Sequence, residues 1–185
     1  MAEESVAEQP VRLIIGLGKP GIKYAKNKEN IAYMIIDYAI EEVKKLYPNS
    51  MVSGWTTRPK YMLMTTNLDP LTMVVKPRTS ENKFDDTASN LINYYKVIPE
   101  NLYFIYPDNS LNLGQFDISK NLGSAPEVIA KMEKKLESRD FWKVRIGIAG
   151  ANEDLNEVEL AKVKYLGEKL AYELEIANIT SKKQE

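Results

Sequence analysis

Lys19, Lys23, Lys26 and Lys28 place four ammonium groups within ten residues, on and behind a Gly16-Leu17-Gly18-Lys19-Pro20-Gly21 run. Such a cluster suits phosphate, and a G-x-G-x-x-G after a strand suits a pyrophosphate held at a helix N-terminus. The dinucleotide reading meets two obstacles. In such a unit the helix opens inside the glycine motif, whereas residues 23–29 (KYAKNKE) intervene here before any apolar helical period begins. The nearest acid for a ribose, Asp37, falls inside that helix instead of ending a second strand. The glycines therefore read as tight backbone turns, and no cofactor is expected. The chain contains no histidine and no cysteine. That removes the usual general base near neutral pH, thiolate nucleophiles, disulfides and the commonest metal ligands together, so no metal is expected either. Carboxylate, ammonium, hydroxyl and backbone groups remain for chemistry. A net charge of -1 gives no global attraction for nucleic acid, so any RNA binding must come from a local patch.

The elements that would position these groups alternate between strand and helix. Residues 12–15 form a short apolar run ending at Gly16, a buried strand followed by a Gly/Pro loop. From residue 30 to 47, Ile31, Met34, Ile35, Tyr38, Val43 and Leu46 recur at helical spacing, with Lys44 and Lys45 in the last turn and Pro48 beyond. Residues 61–66 and 71–75 lean to β structure around Asn67-Leu68-Asp69-Pro70, a hairpin or meander. Residues 84–95 return to a helical period through Ala88, Leu91, Ile92 and Tyr95. A strand over residues 102–105 is expected to end in the turn-forming Pro107, Asp108 and Asn109. Ser124 as N-cap, Pro126 and Glu127 in an S-x-x-E box predict the next helix, with Val128, Ile129, Met132 and Leu136 as its stripe. A last strand over 144–148 precedes a helix from Leu155 to about Ile176, with Val163, Leu166, Leu170 and Leu174 on one face. The pattern predicts an α/β single-domain three-layer fold with a mixed sheet between helices. The domain is placed at 11–178, between an acidic N-terminal extension (1–10) and a polar tail (179–185). No run is long and apolar enough to span a bilayer, so the chain is expected in the cytoplasm, or in the mitochondrion if a transit peptide has been removed.

Residues 13–30 (LIIGLGKPGIKYAKNKEN) resemble the opening of the bacterial-type peptidyl-tRNA hydrolase family, which reads LIVGLGNPG, then a tyrosine, then TRHN. Three later blocks keep the family's order: VKPRTSEN at 75–82 is similar to LKPxTYMN, residues 106–114 align with HDELDLPPG, and RIGIA at 145–149 is similar to RLRIGIG. The resemblance implies the family's fold. It also implies a site in which the TRHN histidine is general base and an aspartate of HDELD orients it, cleaving the ester between peptide and tRNA with water. The place of that histidine is Glu29, and the place of the aspartate is Pro107, or Asp108 with a one-residue slip. The loop asparagine becomes Lys19, and the asparagine of the glycine-rich lid, aligned with residues 119–127, becomes Pro126; of the lid's glycines Gly123 survives. Asn82 matches the family's site asparagine, while Tyr24 and Asn30 match positions lining or flanking its cleft.

Glu29 is open to two readings, a weak base in the family's site or a solvated carboxylate at a helix start. Proline at two aligned site positions and a lysine at a third favour the second. The reading is then of a catalytically degenerate member, a non-enzymatic binding or structural component with tRNA, rRNA or ribosomal proteins of a large particle as partners. The alternative is an active hydrolase with a rearranged site using Glu29 and Asn82. For RNA contact the candidates are Lys19, Lys23, Lys26, Lys28 and Lys83, with Lys76 and Arg78 beside them, although a run of lysines also serves as plain solvated surface.

Overall fold

The computed structural model describes residues 12–49, 52–121 and 125–174, and within them the side chains of all but Tyr61, Glu81 and Asn82. Arg12–Gly16 (β1) is apolar on both faces because it is covered on both. Leu13 and Ile15 join one core and Ile14 joins the other. The first half continues with α1 (Ile31–Leu46), β2 (Thr56–Arg58), β3 (Leu63–Asp69), β4 (Thr72–Pro77) and α2 (Glu81–Tyr95). The second half supplies β5 (Leu102–Asn112), β6 (Phe116–Ser119), α3 (Glu127–Leu136), β7 (Trp142–Ala149) and α4 (Glu157–Glu173). The strands form one sheet in the order β2-β3-β4-β1-β5-β7-β6. Its centre, β4-β1-β5-β7, is parallel, while β3, β2 and β6 pair antiparallel with their neighbours.

Helices cover the two faces in pairs. On one, α1 buries Ile31, Ala32, Ile35, Ile36, Ala39, Ile40 and Val43 at helical spacing, and α4 meets it through Val163, Leu166, Leu170 and Ala171. The helices approach so closely that a Cβ on Gly167 would lie 2.6 Å from the Tyr38 Cβ and 2.9 Å from the Ile35 carbonyl oxygen. On the other face, Phe84, Ala88 and Ile92 of α2 and Ile129 and Met132 of α3 close over Phe104, Tyr106 and Phe141. Asn156 starts α4 with a full capping box: its Oδ1 accepts from Glu159 N–H at 3.0 Å, and Glu159 Oε2 accepts from Asn156 N–H at 2.9 Å.

The three-layer mixed-sheet expectation holds, and several elements differ in extent. β5 runs straight through Pro107, Asp108 and Asn109, where the residue types suggest a turn. Leu17 N–H bonds the Ile105 carbonyl, so alternation points the Pro107 nitrogen toward β1, which has already ended at Gly16. A proline there forgoes only the bond that would carry the β1 ladder past Leu17, and the pairing of β5 with β7 continues alongside it. Two short strands, β2 (TTR) and β6 (FDIS), carry no apolar run that would announce them. The loop after β1 contains 3-10 turns at Ile22–Tyr24 and Lys28–Asn30, where the sequence pattern suggests no helical structure. The helix α3 begins at Glu127 with Pro126 as its N-cap, two residues after the cap position expected at Ser124. Ser124 and Gly123, like residues 1–11 and 175–185, lie outside the described residues.

Candidate functional site at the carboxyl rim of the sheet

The connection from β1 leads toward β4 on one side and the chain later crosses to β5 on the other, so the sheet has a topological switch point at β1. Ligands of open α/β sheets sit outside the carboxyl ends of strands at such a point. Four pieces of chain meet there: residues 17–30 after β1, Pro77 and Arg78 after β4, Tyr106 to Asp108 within β5, and residues 150–156 after β7.

Asn30 holds the first piece together. Only 4% exposed, it accepts from Lys19 N–H at 2.5 Å and donates through Nδ2 to the carbonyls of Lys19 and Tyr24, each at 2.9 Å. It is the fastener of the loop, not a free group lining a cleft. Gly18 lies against it, where a Cβ would sit 2.8 Å from Asn30 Oδ1 and 2.9 Å from the Tyr33 ring. Close packing accounts for Gly16 and Gly18 and a positive φ of 114° for Gly21, and the chain past Gly21 forms a 3-10 turn, not a phosphate-binding helix. Tyr33 adds a cross-brace by donating its hydroxyl to the Pro77 carbonyl, 3.4 Å from the Gly18 carbonyl. Burial pushes its pKa well above the usual phenol range, so it stays a donor. The far side of the loop is pinned to the β7 loop: Lys28 N–H bonds Glu153 O at 2.8 Å, Leu155 N–H bonds Lys26 O at 2.9 Å, and Asn27 pairs with Asp154.

On this scaffold the side chain of Glu29 is ion-paired with that of Lys19, both about half exposed. Glu29 N–H is capped by Asn27 Oδ1 at 3.0 Å. The ammonium of Lys23 lies 4.8 Å from the Tyr24 ring centroid and that of Lys19 5.9 Å from it. Lys19, Lys23, Tyr24, Glu29 and Asn30 are therefore one cluster. Lys28 reaches the Ala151 carbonyl at 3.3 Å, and Lys26 is exposed nearby in sequence. Asn82 is the second residue of α2; its side chain lies outside those described. Pro126 is exposed, and its carbonyl takes Ala130 N–H at 2.9 Å.

Other expected members of the site are employed elsewhere. Asp108 turns its carboxylate to Ser110 N–H at 2.7 Å and to Arg145 at 3.4 Å, and Arg145 is also held by Asp117 at 2.9 Å. Desolvation alone would raise the Asp108 pKa, but the Ser110 hydrogen bonds and the Arg145 charge outweigh it and hold the carboxyl below its ordinary range. Lys76, counted with the phosphate-binding lysines, is 7% exposed, ion-paired with Asp37 and 4.4 Å from the Trp55 ring centroid. Burial pulls its pKa down while Asp37 pulls it back. Lys83 lies on α2, lining a cleft between that helix and β2-β3-β4 that none of Lys19, Lys23, Lys26 and Lys28 lines. The half-buried Arg145-Asp108-Asp117 network and the Tyr33 brace have no sequence signal beyond polar residues standing at strand or helix positions.

A parallel α/β core with its loops converging at the switch point defines an open α/β domain with helices on both faces of its sheet. The family model described as peptidyl-tRNA hydrolase matches residues 13–173, and the chain belongs to that family. It is similar to the peptidyl-tRNA hydrolase of Mesomycoplasma hyopneumoniae, 32% identical over 142 residues that make up 75% of this chain and 71% of that protein. It is also similar to the peptidyl-tRNA hydrolase of Oleidesulfovibrio alaskensis, 30% identical over 142 residues, 74% of this chain and 70% of that protein. Among solved structures, the peptidyl-tRNA hydrolase of Acinetobacter baumannii superposes with a TM-score of 0.67 at 18% identity, covering 94% of each chain, which establishes the shared fold.

Proposed function

We propose that this chain binds a tRNA-type ligand at the carboxyl rim without hydrolysing the peptidyl ester, acting as a binding component linked to translation. The observation that carries the reading is the state of the two positions where the family's resemblance asks for a base and its orienter. At the first, Glu29 is neutralised locally by Lys19; at the second, Pro107 offers no side-chain acceptor, and its neighbour Asp108 is committed to Ser110 and Arg145. A general base must reach the attacking water with its proton-accepting atom free, and contributes about 10²–10⁴-fold when it does. In a chain with no histidine, the carboxylate at the first position is ion-paired with Lys19 and the one beside the second, Asp108, with Arg145, so neither presents an unpaired base. The cations of the rim suit the phosphates of a tRNA acceptor end, the substrate class that the relatives' name specifies.

The test is a single-turnover assay on peptidyl-tRNA with the wild-type chain and Glu29→Ala, run beside tRNA binding at several salt concentrations. The expected outcome is salt-dependent binding with no turnover above the variant. Turnover that disappears in Glu29→Ala would overturn the reading in favour of an active hydrolase with a site rearranged around Glu29 and Asn82. Co-sedimentation with large ribosomal particles from the native source extends the test to ribosomal partners, and fractionation of the same material decides between mitochondrion and cytoplasm.

A further inference from the structure

Away from the rim lies a cleft of about 810 Å³ between α2 and the β2-β3-β4 end of the sheet. Its volume is in the range of about 300–1,000 Å³ typical of ligand sites. Arg58, Lys60 and Lys83 supply its charge; the carboxylate on its wall, Asp86, is already ion-paired with Lys135 of α3. The rest of the wall mixes hydroxyl and amide groups, such as Thr65 and Asn90, with apolar Leu63 and Leu91, and Tyr94 and Tyr95 also line it. Tyr94 is 71% exposed, and the two rings meet edge to face at 4.9 Å. Thr79, also on the wall, is 4% exposed, and its hydroxyl is enclosed with no partner among the described residues.

We propose that this cleft is a single-stranded RNA site, with Arg58, Lys60 and Lys83 on phosphates and Tyr94 offering its ring to a base. A basic groove with an aromatic platform is the chemistry that holds single strands without reading sequence. An acidic peptide would use the cations but has no use for the exposed tyrosine face. The site rests on the reading of the chain as an RNA binder and adds to it a second place of contact beyond the rim.

Fluorescence anisotropy with a short labelled oligoadenylate, across a series of salt concentrations, tests it on the full chain. For the pair Arg58→Gln and Lys83→Gln, the slope of log affinity against log salt should fall by about 1.4, about 0.7 for each phosphate contact. Tyr94→Ala should weaken binding about tenfold. The proposal is overturned if these variants bind like wild type while Lys23→Gln and Lys26→Gln lose affinity, or if a labelled oligoglutamate binds more tightly than the RNA. Intact tRNA measured in parallel separates the two readings. Retention of tRNA with no oligoadenylate binding ends the cleft proposal alone, whereas loss of both ends the RNA-binding reading as well.

Discussion

Lys76 and Asp37 should respond very differently to removal, although they form one ion pair. Lys76 is buried between Trp55 and Tyr33, whereas the side chain of Asp37 is 46% exposed and also accepts from Trp55 Nε1 at 3.1 Å. Asp37→Ala leaves a buried ammonium without its partner. Breaking a fully buried pair costs about 3–5 kcal/mol, and because water already reaches half of this one, about 2 kcal/mol is the expected loss. Lys76→Met keeps an unbranched apolar chain between the rings and leaves Asp37 with Trp55 and solvent, so its stability should stay within about 1 kcal/mol of wild type. In thermal unfolding the difference amounts to a midpoint about 4–8 °C lower for Asp37→Ala and little movement for Lys76→Met. The pH dependence sharpens this. The Lys76 pKa is lowered in the fold from an ordinary 10.5, so the unfolded chain binds more protons across that window and stability rises with pH. In Asp37→Ala the folded value drops further and the rise begins at lower pH. Equal destabilisation by the two substitutions, or a larger loss from Lys76→Met, would refute the placement of the burden on the buried ammonium.

Asn30→Ala should loosen residues 17–30, leaving the Lys19 and Tyr24 backbone groups unpaired at a cost of about 2–4 kcal/mol, read as faster proteolysis at the lysines of that loop before global unfolding. Gly167→Ala should destabilise by about 1–3 kcal/mol of overpacking against Tyr38 and Ile35, more than the about 1 kcal/mol gained in helix propensity; a raised melting point would show that α1 and α4 can move apart. Because the Asp108 pKa is lowered in the fold, its stabilisation is present above the ordinary aspartate value of 3.8 and is lost as pH falls through the folded value. Urea midpoints measured between about pH 5 and pH 2 should therefore fall less steeply for Asp108→Asn than for wild type.

The layers of this protein are legible because burial writes itself into periodicity. The helical stripe of α1 and the two-sided apolar run of β1 leave little choice of element or face. What escapes are elements whose pairing is supplied by a neighbour. The three exposed residues of β2 and the half-buried FDIS of β6 become strands only because β3 and β7 present an edge to them. Pro107 misleads for the same reason, since whether a proline breaks a strand depends on which side has a partner. At the site, residue types can be placed by resemblance, but their commitments cannot. Nothing local in the sequence brings Asp37 to Lys76, or Asp117 and Arg145 to Asp108, because each pair joins elements far apart in the chain.

The central place of β1 has a consequence for how the molecule comes into being during synthesis. β1 precedes both of its sheet neighbours in the chain: β4 and β5 emerge roughly sixty and ninety residues later, and its five residues must wait uncovered or guarded meanwhile. The rim loop waits longer still: the partners of Lys26, Asn27 and Lys28 lie at residues 153–155, next to the last helix. A nascent chain stalled before that point would carry most of its sheet, yet hold this rim loop unfastened, so the rim takes its final shape only when translation of the domain is nearly complete.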